Sequence, residues 1–336
     1  METMLLTAAP EQYDKAVPLL KSGNVVAVPT ETVYGLAANA FDVDAVKKIF
    51  LAKGRPQDNP LILHIGNMDM LYDIAENIPD IALKLADEFW PGPLTMIFPR
   101  RKNVPSETCG GLDTAAVRMP DNEFTRVLIE KCGFPLAAPS ANTSGLPSPT
   151  SAQHVFEDMN GKIPLIIDDG ECSCGVESTV ICFENDKIRV LRPGAVTPEM
   201  LSEYADVIID NGVLQQLSAN ERVLSPGMKY KHYSPVAEVY IVDGNKEDFI
   251  RFVSEKATSD KKIAVLCGDE KVPDNVISLP YGSSSEEQGE NLFSSLRKAD
   301  EIGCSEVYVK MPEKTGFGLA VYNRLLRAAA FRIIEL

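Results

Sequence analysis

The chain has 336 residues, of which 45% are hydrophobic and 24% are charged. This composition is typical of globular proteins and excludes the disordered, fibrous and membrane classes. The 48 acidic and 33 basic residues give a formal net charge of -15, which opposes a broad electrostatic attraction to nucleic acid or anionic lipid. No apolar run is long enough to span a bilayer, and the first residues lack a basic signal-peptide segment. We therefore expect a soluble, cytoplasmic chain.

The first 205 residues alternate short β-branched segments with amphipathic segments of helical periodicity. This alternation predicts an α/β domain, and the sheet should be a twisted mixed one because some strands follow each other too closely for a helical crossover. Helices are predicted over 42–52, 81–89 and 123–132. About eight strands are predicted, over residues 25–28, 61–65, 94–98, 115–118, 136–138, 165–167, 178–183 and 188–191.

Residues 206–235 differ in composition and are predicted to form a linker. The segment 225–235 has proline near both ends and contains two lysines, two tyrosines and a histidine. Tyr230, His232 and Tyr233 could stack on a ring or contact an anion. A stiff spacer with incidental tyrosines is an equally good interpretation.

The last segment, residues 236–336, is predicted to be a second domain. Strands are predicted over 239–242, 263–267, 276–279 and 307–310, and helices over 246–256, 286–300 and 319–330. This order indicates a small Rossmann-like α/β domain.

The seven cysteines indicate free thiols rather than a disulfide framework or a metal site. Their number is odd, and Cys172 and Cys174 are separated by one residue rather than the two of zinc and redox motifs. Only three histidines are present. We therefore expect no protein-held metal.

The sequence lacks the Walker motif, the G-x-G-x-x-G fingerprint, H-E-x-x-H and G-x-S-x-G. Any phosphate site must therefore use dispersed side chains. The segments 53–56, 117–120 and 191–194 each place a cation at the end of an element, next to proline or glycine. Arginines at strand ends can converge on one polyanion, although each could instead pair with a neighbouring acid.

Hydroxyl and amide side chains are concentrated in the segments 29–36, 139–145 and 177–180, each next to a predicted strand. Such groups suit recognition of a small polar ligand. As alternatives, Thr32 and Ser140 could cap helices and Asn142 could close a turn.

These segments together resemble a known family. PTETVYGL at 29–36, KGRP at 53–56, NPL at 59–61, SAN at 140–142 and LRPG at 191–194 resemble the YrdC-like domain. SPGMKYKHYSP at 225–235 and GLAVYNRL at 318–325 resemble the longer, two-domain threonylcarbamoyl-AMP synthases. The resemblance covers nearly the whole chain, in the same order.

The resemblance implies a nucleotidyltransferase that converts L-threonine, bicarbonate and ATP into threonylcarbamoyl-AMP and pyrophosphate. A downstream tRNA threonylcarbamoyl transferase complex would use the product to modify the adenosine beside the anticodon. The implied catalytic residues are Lys53 and Arg55, with magnesium held mainly by the phosphates. The linker residues Tyr230, His232 and Tyr233 would form a lid over the cleft. The resemblance implies that threonine is bound by Thr32, His64, Arg118, Ala138 and Ser178, and ATP by Arg55, Asn59, Thr114, Ser140, Asn142, Ser148 and Arg192.

Three other interpretations remain open. An RNA-binding module is opposed by the net charge and by the lack of a basic run interleaved with aromatic residues, so direct tRNA binding is possible but unsupported. A carbamoyl-transfer maturation factor would carry acylphosphatase-like and zinc-finger segments, which are missing. A regulatory nucleotide sensor would bind ATP without making the product.

Overall fold

The computed structural model describes residues 2–57, 59–215, 233–257, 261–268 and 271–336. Within these residues the strands form two sheets, one of eleven strands and one of five. The larger sheet belongs to the first part of the chain and the smaller sheet to the last part. This division into two α/β layers confirms the predicted fold class.

The larger sheet is mixed, as predicted, since its neighbouring strands include both parallel and antiparallel pairs. Its strands lie in the order β1-β8-β2-β3-β7-β4-β6-β5-β9-β10-β11. They are β1 (Met4–Thr7), β2 (Val26–Val28), β3 (Gly35–Asn39), β4 (Ile62–His64), β5 (Leu94–Pro99), β6 (Thr114–Arg118), β7 (Leu136–Ala137), β8 (Leu165–Asp168), β9 (Thr179–Glu184), β10 (Lys187–Arg192) and β11 (Val207–Ile209).

Seven helices accompany this sheet in the described part of the chain, and their apolar faces pack against it. They are α1 (Tyr13–Lys21), α2 (Val43–Lys53), α3 (Asp69–Ile74), α4 (Asp80–Phe89), α5 (Glu123–Cys132), α6 (Ala152–Met159) and α7 (Pro198–Ser202). Helix α2 shows how local sequence sets the bounds. Asp42 caps its first turn, and Gly54 ends it in the left-handed conformation at φ 63°.

The smaller sheet is parallel throughout its described pairs, as a Rossmann-like domain requires. Its strand order is β14-β13-β15-β12-β16. Buried apolar residues of its helices and strands form a core of their own. The elements are β12 (Glu238–Asp243), α8 (Lys246–Lys256), β13 (Ile263–Leu266), β14 (Ile277–Ser278), α9 (Ser285–Glu301), β15 (Glu306–Lys310), α10 (Gly318–Ala328) and β16 (Ile333–Glu335).

The larger sheet continues beyond residue 205, where the sequence predicted the first domain to end. Strand β11 pairs in parallel with β10, and a short 3-10 helix follows at Asn211–Val213. The beginning of the predicted linker is therefore part of the first sheet. Of the predicted linker, residues 216–232 lie outside the described residues.

The two domains pack closely against each other. Val33 and Val176 of the first domain belong to the same buried apolar cluster as residues of the second. Arg297 of α9 forms a largely buried ion pair with Asp158 of α6, with 2.8 Å between Nη2 and Oδ2. Gly175 allows backbone to approach backbone, because a Cβ atom there would lie 2.3 Å from the Gly289 carbonyl oxygen.

No helix in the described residues is long and apolar enough to cross a membrane. All seven cysteines lie in the described residues, and no disulfide bond joins any two of them.

We expect Gly175→Ala to destabilise the contact between the domains. Gly175 has φ +70°, so alanine would be strained there, and its Cβ would also clash with the backbone of α9. Gly170 is a matched control, because it has φ +80° but a Cβ there would meet nothing within 4 Å. In chemical unfolding, Gly175→Ala should lose at least about 1 kcal/mol more than Gly170→Ala. Equal losses in the two variants would contradict this close approach.

Candidate active site

A cleft with many polar and charged lining residues lies where several strands of the larger sheet begin or end. His64 at the end of β4 and Arg118 at the end of β6 are register partners, because these two strands are parallel. Arg192 ends β10, and Ser178 directly precedes β9. Strand topology thus brings together residues that are far apart in the chain. Predicted site residues that line the cleft are Thr32, Lys53, Arg55, His64, Arg118, Ala138, Ser140, Asn142, Ser178, Arg192 and Tyr233.

One end of the cleft is organised around Arg118, which is almost fully buried. Its guanidinium lies 2.7 Å from Glu31 Oε1, donates to Thr32 Oγ1 at 2.8 Å and donates to the Gly92 carbonyl at 3.2 Å. Thr32 is held in turn by Thr30 at 2.9 Å between the hydroxyl oxygens. Arg118 is therefore fixed in direction, and Glu31 partly neutralises it.

His64 lines the cleft as a neutral imidazole. Burial, and then the positive charge of Arg118, lower the pKa of His64 to about 3. Its Nδ1 lies 3.3 Å from the carbonyl oxygen of Ile62. His64 can therefore exchange hydrogen bonds with a polar ligand but does not carry charge near neutral pH.

Ala138 brings backbone rather than a functional side chain to the cleft. Its amide N–H donates to the Ile62 carbonyl at 3.0 Å. Any backbone contact from Ala138 to a ligand would therefore come from its carbonyl oxygen.

Lys53 is the last residue of α2, and its ammonium group is directed at the loop that follows β7. It donates to the Ser140 carbonyl, to the Asn142 carbonyl at 2.8 Å and to Asn142 Oδ1 at 3.2 Å. Burial, and then the charge of Arg55, hold the pKa of Lys53 well below its usual range. Lys53 thus fixes the loop whose Ser140 and Asn142 side chains face the cleft.

Arg192 and Ser178 form a second group of residues in the cleft. Arg192 donates through Nε to the Ser178 carbonyl at 3.0 Å and through Nη2 to the Ser178 hydroxyl at 3.1 Å. The Ser178 hydroxyl also lies 2.8 Å from that of Thr95. Burial, and then the charge of Arg324, lower the pKa of Arg192 to about 10, so Arg192 remains protonated at neutral pH.

Three predicted nucleotide-binding residues are not among those that line the cleft. Ser148 is buried and donates its hydroxyl to Glu177 Oε1, and Glu177 does line the cleft. Asn59 is fully buried, and neither polar atom of its side chain has a hydrogen-bond partner among the residues that the structure describes. An unpartnered buried amide is costly, which favours a ligand contact there. Thr114 begins β6, where it pairs with Pro99.

Tyr233 lies at the cleft, whereas Tyr230 and His232 lie outside the described residues. The ring of Tyr233 packs 5.2 Å from that of Phe293 in α9. Its φ of 60° is unusual for a residue other than glycine. The next residue, Ser234, donates its amide to the Gly145 carbonyl at 2.9 Å and its hydroxyl to the Ala328 carbonyl at 3.3 Å. The end of the predicted linker therefore contacts both domains beside the cleft.

The sequence did not predict Glu31, Glu177 or Arg324 as site residues. Both glutamates lie within the polar segments at 29–36 and 177–180, but their neighbours were chosen for their hydroxyl groups. Arg324 belongs to the second domain, and its ion pair with Glu177 joins residues 147 positions apart. A carboxylate between two hydroxyl residues, Thr30 and Thr32, was the available signal for Glu31.

Magnesium is implied by the resemblance, and the donor set of the cleft can be tested for it. Among the described residues that line the cleft, the one carboxylate is Glu177, and it is paired with Arg324. No group of three or more His, Cys, Asp or Glu side chains suited to a metal occurs in the described part of the chain. These residues do not fit a protein-held magnesium ion. They fit an anion, because four cations line the same cleft.

Cations gathered at the strand ends of an α/β sheet are typical of proteins that bind small anionic molecules. Residues 18–194 match the Sua5, YciO and YrdC family model, described as telomere recombination. Residues 196–330 match the model of the threonylcarbamoyl-AMP synthase C-terminal domain.

Curated relatives named threonylcarbamoyl-AMP synthase include proteins of Pyrococcus abyssi and Bacillus subtilis. The first is 46% identical over 95% of this chain and 94% of the relative, and the second is 43% identical over 96% and 94%. The crystal structure of P. abyssi Sua5 complexed with L-threonine is similar with a TM-score of 0.92 and 43% identity, covering 99% of this chain and 100% of that one. The chain therefore belongs to the threonylcarbamoyl-AMP synthase family, in its two-domain form, which confirms the resemblance.

We expect the buried neutral His64 to make the free energy of unfolding depend on pH. The native imidazole stays neutral down to about pH 3, whereas the unfolded one titrates near 6.5. Between these values the unfolded chain binds one more proton, so stability must fall as the pH decreases through this window. Relative to His64→Gln, the wild type should lose up to about 1.4 kcal/mol per pH unit, measured by urea unfolding between about pH 6.5 and 4.5. Parallel pH profiles for the two proteins would contradict the neutral assignment.

Proposed function

We propose that this chain makes threonylcarbamoyl-AMP and pyrophosphate from L-threonine, bicarbonate and ATP. The observation that carries the proposal is the convergence of Lys53, Arg55, Arg118 and Arg192 on one cleft. Glu31 pairs with Arg118, whereas the cleft carboxylate Glu177 is paired with Arg324, so the charge of these four cations is offset only in part. Threonine, with its carboxylate, and ATP, with its triphosphate, together suit the positive charge that remains. The names of close relatives support the same reaction.

The end of the cleft around Arg118 is the proposed threonine site. Arg118 would pair with the threonine carboxylate through its fixed guanidinium, and it would share its charge between that group and Glu31. Thr32, the neutral His64 and Ser178 would hydrogen-bond the polar groups of the amino acid, with the carbonyl of Ala138 as a backbone acceptor. The threonine complex of P. abyssi Sua5 supports a threonine site in this family.

The part of the cleft around Arg55 and Arg192 is the proposed nucleotide site. Arg55 and Arg192 would contact the phosphates, because both line the cleft. One guanidinium group can donate two parallel hydrogen bonds to a pair of phosphate oxygens. The unpartnered amide of Asn59 would gain a partner from the nucleotide. The remaining proposed nucleotide contacts are Thr114, Ser140, Asn142 and Ser148.

The reaction needs alignment and charge stabilisation more than acid–base catalysis. The neutral amine of threonine attacks the carbon of carbon dioxide and loses a proton, or it attacks the carbon of bicarbonate and a C–O bond breaks with loss of water. Either route gives a carbamate. A carbamate oxygen then attacks the α-phosphorus, and the bond to the bridging oxygen breaks to release pyrophosphate. Negative charge accumulates on the phosphoryl oxygens and on the leaving group. Arg55 and Arg192 would stabilise that charge from fixed positions.

Lys53 would act mainly by positioning. Its ammonium group is directed at oxygens of Ser140 and Asn142, so its charge reaches the cleft while its hydrogen bonds hold the loop. The charge that reaches the cleft and the hydrogen bonds that hold the loop both support the assignment of Lys53, together with Arg55, to the catalytic residues.

The nucleotide would bring magnesium with its phosphates, and the ion would neutralise pyrophosphate. The protein would operate in the cytoplasm and pass its product to a tRNA threonylcarbamoyl transferase complex. The net charge of -15 does not support direct binding of tRNA by this chain.

The proposed lid would shield the carbamate from water. Tyr233 supports this role because it lies at the cleft and is held by Phe293 of the second domain. Tyr230 and His232 are assigned to the lid from the resemblance alone.

We expect Arg55→Ala to slow formation of threonylcarbamoyl-AMP by roughly a hundredfold, since it removes one preorganised donor to the phosphates. Product should be measured directly in mixtures of ATP, threonine and bicarbonate. Lys47→Ala is a matched control, because Lys47 is an exposed cation of α2, the helix that precedes Arg55, and it pairs locally with Asp44. ATP binding by the wild type without any product would favour the nucleotide-sensor alternative, and unchanged turnover in Arg55→Ala would contradict the site assignment.

A further inference from the structure

A buried arginine of the second domain reaches the first domain beneath the cleft. Arg324 lies in α10 and is 0% exposed. It donates to Glu177 Oε2 at 2.8 Å, to the Glu177 carbonyl at 3.0 Å and to the Pro193 carbonyl at 2.8 Å. Its fourth bond, of 2.9 Å, goes to Asn323 Oδ1 within its own helix. Three of these four bonds therefore cross from one domain to the other.

The acceptors of Arg324 are the immediate chain neighbours of two cleft residues. Glu177 precedes Ser178, and Pro193 follows Arg192. Because Arg192 donates to both the carbonyl and the hydroxyl of Ser178, the two strand ends form one unit around the guanidinium of Arg324. A change at Arg324 would therefore move both cleft residues.

Glu177 also connects Arg324 to Ser148, one of the proposed nucleotide contacts. Its Oε1 accepts the hydroxyl of Ser148, while its Oε2 accepts from Arg324. Burial opposes the charge of Glu177, but Arg324, Arg192 and the Ser148 hydroxyl hold its pKa below the usual value. The carboxylate is therefore ionised, and Arg324 is its main positive partner.

We propose that Arg324 is a positioning residue for the nucleotide end of the cleft. By neutralising Glu177 it leaves Arg192 available for phosphate and keeps Ser148 in place. This inference rests on the proposed function only in naming ATP as the ligand. The second domain thus completes the first domain's nucleotide site from behind, without touching the substrate.

Removing Arg324 would leave a buried carboxylate without its main cation. Arg192 is the other arginine that stabilises the charge of Glu177. A buried unpaired charge is strongly unfavourable, so Arg192 would turn towards Glu177 and away from the nucleotide. Of the proposed threonine contacts, Arg118, Thr32 and His64 receive none of the four bonds of Arg324, whereas Ser178 lies next to Glu177 in the chain. The loss of affinity should therefore be larger for the nucleotide than for threonine.

The test is a double-mutant cycle with Arg324→Gln, Glu177→Gln and the double variant, all in the full chain. Equilibrium affinity is measured by calorimetry for the α,β-methylene analogue of ATP and, separately, for threonine. We expect Arg324→Gln to weaken binding of the nucleotide analogue about tenfold or more, and to weaken threonine binding by a clearly smaller factor. Once Glu177 is neutral, Arg324→Gln should weaken nucleotide binding little further.

Arg327→Gln is the matched control, because Arg327 is also largely buried in α10 and donates across to the Gly212 carbonyl. If a weaker contact between the two domains does not by itself lower nucleotide affinity, Arg327→Gln should leave that affinity within about twofold of the wild type. Should Arg324→Gln fail to fold, the double variant and Arg324→Lys, which keeps the charge, provide the comparison.

Three outcomes would overturn the inference. The first is an equal loss of nucleotide and threonine affinity in Arg324→Gln. The second is the same loss of nucleotide affinity in Arg327→Gln. The third is a full additional loss of nucleotide affinity when Arg324→Gln is added to Glu177→Gln. Absence of product in the wild type would instead reject the proposed function, since the binding measurements require no turnover.

Discussion

The main physical constraint in this protein is the burial of several positive charges beside one another. Lys53 and Arg192 are almost fully buried, and in each the pKa is lowered by burial and then by a neighbouring guanidinium. Charges in such a site are costly unless they are paired. Loop carbonyls around Lys53, and the carboxylates of Glu31 and Glu177, offset part of the cost. An entering polyphosphate would offset the rest of this free-energy cost. The affinity for the polyphosphate would then come from the same positive charges that are costly to bury.

The second domain takes part in this charge balance. Arg324 neutralises Glu177 from α10, Arg297 pairs with Asp158 from α9, and Phe293 supports Tyr233 at the cleft. All three residues lie on helices that face the first domain. The strand ends of the Rossmann-like sheet, where ligands bind in many such folds, are not needed for this contribution. The second domain is therefore better understood as structural support for the first domain's site.

Much of the fold could be predicted from local patterns, because buried β-branched segments and amphipathic helices are visible in the sequence. Three strands of the larger sheet were not predicted, for different reasons. Strand β3 (Gly35–Asn39) is built largely from small residues, β1 (Met4–Thr7) is mostly exposed, and β11 is a three-residue strand inside the predicted linker. In the site, cations at strand ends were predictable, whereas the partners of those cations were not. The pairing of Arg324 with Glu177 arises from domain packing, which leaves no periodic signal in the chain.

The most direct measurement is a crystal structure of the chain with threonine and the α,β-methylene analogue of ATP. We expect one triphosphate in the cleft, with Arg55 and Arg192 within about 3 Å of its phosphate oxygens and Arg118 on the threonine carboxylate. We also expect Arg324 to keep its bonds to Glu177 in that complex. A nucleotide bound elsewhere, or phosphates directed away from these arginines, would contradict the proposed site.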